Sequence, residues 1–194
     1  MGEEELLERA RNGDDEAFSL LMKNYEKYVY NVILRIVEEK EEAKDIAQET
    51  FIKAYMNIKT FRKDSSFKTW IYRIAVNTAM DYLRRKARSK IDLVATHKDG
   101  LEVKNFQMPE EVIEQRLTVE MVRKEISKLP VDYKVALILK DIEGMSYEEI
   151  SNILKINLGT VKSRIWRARN LLRERIKSLP EFLSSQERGE NNGL

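Results

Sequence analysis

The chain has 194 residues, enough for one large or two small domains, and 42% of them are hydrophobic, enough to fill a core. Charged residues make up 35%, yet the formal net charge is only +2, so binding to a polyanion has to come from local basic patches. The absence of cysteine excludes disulfides and thiolate chemistry. No apolar run approaches the roughly 20 residues of a membrane span, and the N-terminal MGEEELLERARNGDD has no apolar signal core, which points to a cytoplasmic protein.

The breakers divide the chain into two helical lobes, with no long alternating strand pattern and no fixed-period repeat. The expected fold is all-α: two small helical domains joined by a flexible linker, over residues 1–91 and 109–179, with 92–108 between them and a disordered tail at 180–194. The first lobe should hold at least three helices. Asp14 or Asp15 caps one that runs to about Val37, with the stripe Phe18, Leu21, Tyr25, Tyr28, Val29, Val32 and Ile36. A second spans about 42–59 and buries Ala43, Ile46, Ala47, Thr50, Ala54 and Ile58. Its other face shows Asp45, Gln48, Glu49, Ile52 and Met56. That mixture of acid and apolar groups fits either a basic protein partner or a solvated acidic face, and the residues alone leave both readings open.

A third helix is expected over about 66–85, SFKTWIYRIAVNTAMDYLRR, with Phe67, Ile71, Ile74, Ala75 and Thr78 inward. Around it stand Phe61, Trp70, Tyr72 and Tyr82, interleaved with Lys68, Arg73, Arg84, Arg85, Lys86 and Arg88. Rings that stack on bases, beside cations that neutralise phosphates, suit unpaired nucleic acid. The same aromatics also suit a core, and for Trp70 and Tyr82 the two readings balance. Residues 89–108 mix charges with Gly100, lack periodicity and read as the linker.

Residues 145–177, MSYEEISNILKINLGTVKSRIWRARNLLRERIK, read as two helices around a short turn. Gly144 ends the preceding helix, and Ser146 with Glu149 forms a capping box. Tyr147, Ile150, Ile153 and Leu154 are the apolar stripe. Asn157 caps the next helix, which buries Val161, Ile165, Ala168, Leu172 and Ile176. At about 100° per residue, Ser163, Trp166, Arg167 and Asn170 fall opposite that stripe, with Lys162 and Arg173 on its flank. Core packing does not explain a Trp there, whereas the major groove of DNA suits such a face.

Three segments, DIAQETFIKAY (45–55), FRKDSSFKTWIYRIAVNTAMDYLRR (61–85) and MSYEEISNILKINLGTVKSRIWRAR (145–169), closely resemble bacterial sigma factors. The match is to the compact extracytoplasmic-function group of the sigma-70 family, in the right order and spacing over nearly the whole chain. The resemblance implies a protein that binds core RNA polymerase, directs it to a promoter and helps open the duplex, without performing chemistry. It implies that Asp45, Gln48 and Glu49 dock on the polymerase clamp helices. It assigns Phe61, Arg73 and Asn77 to the −10 element, with Phe61 and Asn77 lining a pocket for a flipped base. It assigns Lys162, Ser163, Trp166 and Arg167 to the −35 element. Lys162 is often Arg in relatives and Trp166 is often smaller, which leaves the −35 sequence open. An anti-sigma factor, commonly membrane-anchored, is the implied inhibitor.

The rival reading is a stand-alone helix-turn-helix regulator, which explains the second lobe and leaves the first without a role. An enzyme is disfavoured. Asp45 and Glu49 share a face but converge with no further ligands, the single His97 lies in the linker, and no phosphate-binding glycine loop occurs. No cofactor, metal or catalytic residue is expected.

Overall fold

A computed structural model describes residues 2–62, 65–92 and 110–179, which contain no strand. The helices are α1 (Glu3–Arg11), α2 (Asp15–Val37), α3 (Lys40–Asn57), α4 (Phe67–Asp92), α5 (Glu110–Ser127), α6 (Val131–Leu137), α7 (Tyr147–Leu154) and α8 (Leu158–Lys177). A 3₁₀ turn at Ile58–Thr60 follows α3, and α6 widens into a π turn at Ile138–Ile142.

The first lobe packs α1 to α4 in mutual contact. α2 starts where expected: the Asp14 side chain accepts from the Ala17 amide at 2.9 Å and from Arg9 Nε at 2.8 Å. Its apolar stripe is buried apart from Tyr28, which lies at the edge of the stripe and is exposed. The six expected inward residues of α3 are all buried. α1 was not foreseen. It buries Leu6, Leu7 and Ala10, and Tyr25 donates to Glu3 at 2.7 Å. α4 also outruns its expected end by about two turns, so residues 89–92 are helix rather than linker. The rest of the linker, His97 and the tail at 180–194 lie outside the described residues.

In the second lobe α6 and α5 pack against α8, and α7 leads into α8. Both halves of the capping box form: Ser146 Oγ accepts from the Glu149 amide at 3.1 Å, and Glu149 accepts from the Ser146 amide at 2.8 Å. Lys155 takes a left-handed conformation (φ 53°) to close α7, and Asn157 caps α8 by accepting from the Thr160 amide at 2.7 Å. Val161, Ile165 and Ala168 are buried, while Leu172 and Ile176 are half-buried.

Despite the linker, the two lobes are not apart. α7 lies against α4, and the apolar core runs without a break from Leu6 in α1 to Ile165 in α8.

Candidate nucleic-acid interface

The outer face of α8 is built as its spacing requires. With Val161, Ile165 and Ala168 pinned inside, Ser163, Trp166 and Arg167 must point out. Trp166 is 67% exposed. Ser163 Oγ donates to the Thr160 carbonyl at 3.0 Å, which leaves its lone pairs free to accept. Arg167 leans on Tyr133 Oη at 3.4 Å. Lys162 stands 5.7 Å from the centre of the Tyr147 ring, which also carries Lys140 at 4.7 Å, so a cation–π shelf holds it on the flank. The neighbouring arginines are occupied: Arg164 meets Asp132 at 3.3 Å, and Arg169 donates to Asp141 at 3.0 Å. Tyr133 and Tyr147 were not among the expected site residues. Their roles depend on contacts between helices that a single-helix period does not encode.

The expected −10 residues are split by the fold. Arg73 and Asn77 sit one turn apart on α4, half-exposed, and neither side chain hydrogen-bonds to a described residue. Their donors are available to a ligand. Phe61 is placed differently from an open pocket wall, at only 2% exposed. Its ring meets Phe67 at 5.6 Å and Trp70 at 5.5 Å, both edge-on, and Phe67 in turn meets Tyr25 at 5.2 Å. This aromatic cluster anchors the start of the loop at 60–66. It also answers the open question of Trp70, which is core. Tyr82 is half-buried, with Lys86 5.7 Å from its ring centre.

On α3, Asp45 and Gln48 are exposed, whereas Glu49 is half-exposed and paired with Lys53 at 2.7 Å. Ile52 and Met56 are 59% and 75% exposed. The face therefore grades from acid at one end to bare hydrocarbon at the other. No group of three or more potential metal ligands occurs among the described residues, and no described helix is long and apolar enough to cross a membrane.

Comparison with known proteins agrees with this layout. Residues 21–89 match the family described as Sigma-70 region 2, and residues 120–181 match Sigma-70, region 4. The chain is 38% identical over 183 residues to the RNA polymerase sigma-H factor of Pseudomonas aeruginosa, covering 91% of this chain and 95% of that one. It is 39% identical over 180 residues to the ECF RNA polymerase sigma-E factor of Escherichia coli K12, covering 90% and 94%. The chain belongs to the sigma-70 family, in its extracytoplasmic-function group. Among solved structures it is similar to a sigma factor bound to the anti-sigma factor NepR from Bartonella quintana, with a TM-score of 0.66, 25% identity, and coverage of 83% and 97%. The fold is also that of CnrH in complex with the cytosolic domain of CnrY (TM-score 0.65, 23% identity, coverage 89% and 96%).

Proposed function

We propose that the chain is a sigma factor that docks on core RNA polymerase through the α3 face and delivers two DNA-reading surfaces to a promoter. In this reading Asp45, Gln48 and Glu49 meet basic groups of the polymerase, and Ile52 and Met56 extend the contact. Arg73 and Asn77 face the −10 element, Arg73 neutralising phosphate and Asn77 offering an amide to an unpaired base. Phe61 acts from beneath, packing the first turn of α4 through Phe67 and Trp70. Lys162, Ser163, Trp166 and Arg167 read or grip the −35 element. Such work moves no covalent bond: its free energy comes from phosphate neutralisation, base-edge contacts and stacking. It is done in the cytoplasm, where polymerase and DNA are, and an anti-sigma factor of the kind bound to the structural relatives is the expected inhibitor.

The observation that carries this reading is the coexistence of a basic reading face on α8 with a solvent-exposed acidic and apolar face on α3. A stand-alone regulator needs only the first. Run-off transcription on a promoter library tests it. Promoter-specific transcripts are expected only when chain and core polymerase are both present. Specific binding by the chain alone, with no core-dependent transcription, would instead identify a stand-alone regulator.

A further inference from the structure

The five arginines of α8 fall into two groups by the chemistry of what they meet. Arg164, Arg169 and Arg175 each face a carboxylate: Asp132 at 3.3 Å, Asp141 at 3.0 Å and Glu125 at 3.8 Å. Arg167 and Arg173, on the outer face, meet neutral acceptors instead. Arg167 Nη1 donates to Tyr133 Oη at 3.4 Å, and Arg173 Nη1 donates to Asn170 Oδ1 at 3.1 Å. Neither of the two forms an ion pair among the described residues. A carboxylate partner would have to be displaced before a phosphate could take its place, whereas a neutral acceptor orients the guanidinium and leaves its charge available.

Tyr133 is built for this. Its ring is half-buried and packs against Leu129, Leu137, Ala168 and Leu172, so the second lobe's own core fixes its position. Its hydroxyl emerges beside Arg167 in an open cleft of about 370 Å³, lined also by Trp166, Asn170, Leu171 and Glu174. Glu174 stands a turn beyond Asn170 and leans toward Lys177 at 3.8 Å, so a polyanion is favoured at the Arg167 end of the cleft. A phenol oxygen that accepts one guanidinium N–H still has its own proton to donate. Among the described residues that proton has no acceptor. At 3.4 Å the bond to Arg167 is long, so it guides the guanidinium without fixing it.

We propose that Tyr133 and Arg167 form a two-donor clamp on a single DNA backbone phosphate, with Tyr133 both positioning the guanidinium and donating its hydroxyl proton to the same oxyanion. The clamp rests on α8 being the DNA-facing helix, which the sigma-factor reading and its stand-alone rival share. It sets the register of the helix in the groove and carries no sequence information of its own. Each donor strengthens the other, because an O–H that donates to phosphate is a better acceptor for the arginine.

A double-mutant cycle on the full-length chain tests it, with the chain assembled with core polymerase and bound to a labelled promoter duplex in the cold, before strands open. Tyr133→Phe keeps the ring and should leave the unfolding temperature unchanged. It should weaken binding about fivefold, by the worth of one hydrogen bond, without changing the ranking of −35 sequences. Its salt slope should run parallel to the wild type, because a neutral donor releases no counterion, whereas Arg167→Ala should lower the slope by about one. In the Arg167→Ala background, Tyr133→Phe should cost less than about twofold, since the phosphate they share has already been lost. Wild-type binding by Tyr133→Phe overturns the clamp and leaves the phenol a core residue. An equal loss in both backgrounds also overturns it, because the two groups then serve different phosphates. Should the wild type select no promoter with polymerase, the sigma-factor reading fails, and the same cycle judges the clamp with the chain alone on duplex DNA.

Discussion

Trp166 and Phe61 show how one residue type, an aromatic in a basic neighbourhood, reaches opposite fates. Trp166 sits opposite three pinned residues of α8 and has nowhere to go but water. Removing it should leave folding within about 0.5 kcal/mol of wild type, as for exposed substitutions generally. Trp166→Ala and Ser163→Ala should each change preference at one −35 position by roughly 1–3 kcal/mol, while Arg167→Ala should weaken all sequences and reduce the salt slope by about one. Binding to a panel of −35 variants at several salt concentrations checks this, and an unchanged ranking in the first two would mean the reading face is elsewhere. Phe61 is the contrary case. Phe61→Ala should destabilise by about 3–5 kcal/mol through a core cavity. Asn77→Ala should leave stability nearly intact and still reduce open-complex formation, read as permanganate-reactive thymines. If Asn77→Ala melts promoter DNA normally, the amide has no part in opening. The exposure of Trp166 was legible from a 3.6-residue period anchored at Val161 and Ile165. The burial of Phe61 was not, because it lies in a loop where periodicity carries no information and only the meeting of Tyr25, Phe67 and Trp70 decides.

Among the elements, those with local signals were the ones sequence could place. α7 and α8 carry their caps in plain sight, Ser146 with Glu149 and then Asn157, and these form the bonds their spacing implies. Ser146→Ala should cost about 1 kcal/mol. The backbone N–H of Ser146 holds the Glu149 carboxyl below its ordinary range. A depressed folded-state pKa means that the stabilisation is present above the unfolded value and lost as pH falls through the folded one. Wild type should therefore lose more stability than Glu149→Gln between about pH 7 and about pH 3, measured by thermal unfolding; parallel losses would show that the carboxylate contributes nothing to the cap. α1 was missed for the complementary reason. Nine residues are too few to be helical alone, and its helicity comes from packing Leu6, Leu7 and Ala10 against α2. For α3 the inward face was plain and the purpose of the outward face was not. Asp45→Lys with Glu49→Lys should weaken binding to core polymerase while thermal unfolding barely moves, since the ion pair broken, between Glu49 and Lys53, is a solvent-exposed one. Full affinity in a folded double variant would place the polymerase contact on another face.

At the scale of the whole molecule, the sequence divides the chain into two lobes and is silent on whether they touch. Periodicity identifies which face of a helix is apolar, not which partner covers it, so Ile71 and Ile150 look like ordinary core residues of separate domains. In the structure they belong to one core. What joins the lobes is a noncovalent seam plus a tether, and the two contribute differently. Because both lobes belong to one chain, each sees the other at an effective concentration on the order of millimolar. The intact chain therefore stays closed even if the seam alone is weak, provided the separated lobes bind with a Kd below about 1 mM. Association of free bodies must first offset several kcal/mol of lost translational and rotational freedom, so a tight complex is not expected from a small seam. Residues 1–92 and 109–194, prepared as separate chains and checked for helicity by circular dichroism, should associate with a Kd between about 1 µM and 1 mM at low salt. Chemical-shift titration would follow it, with the largest changes on α4 and α7. Raising salt should weaken the complex by screening the Lys134–Glu38 and Arg84–Asp132 pairs, and Glu143→Gln should weaken it further by taking the charge from the acceptor of Arg35 and Tyr72. Two folded halves that ignore each other at millimolar concentration would mean the seam cannot hold the chain closed, and that the lobes meet only when a partner clamps them.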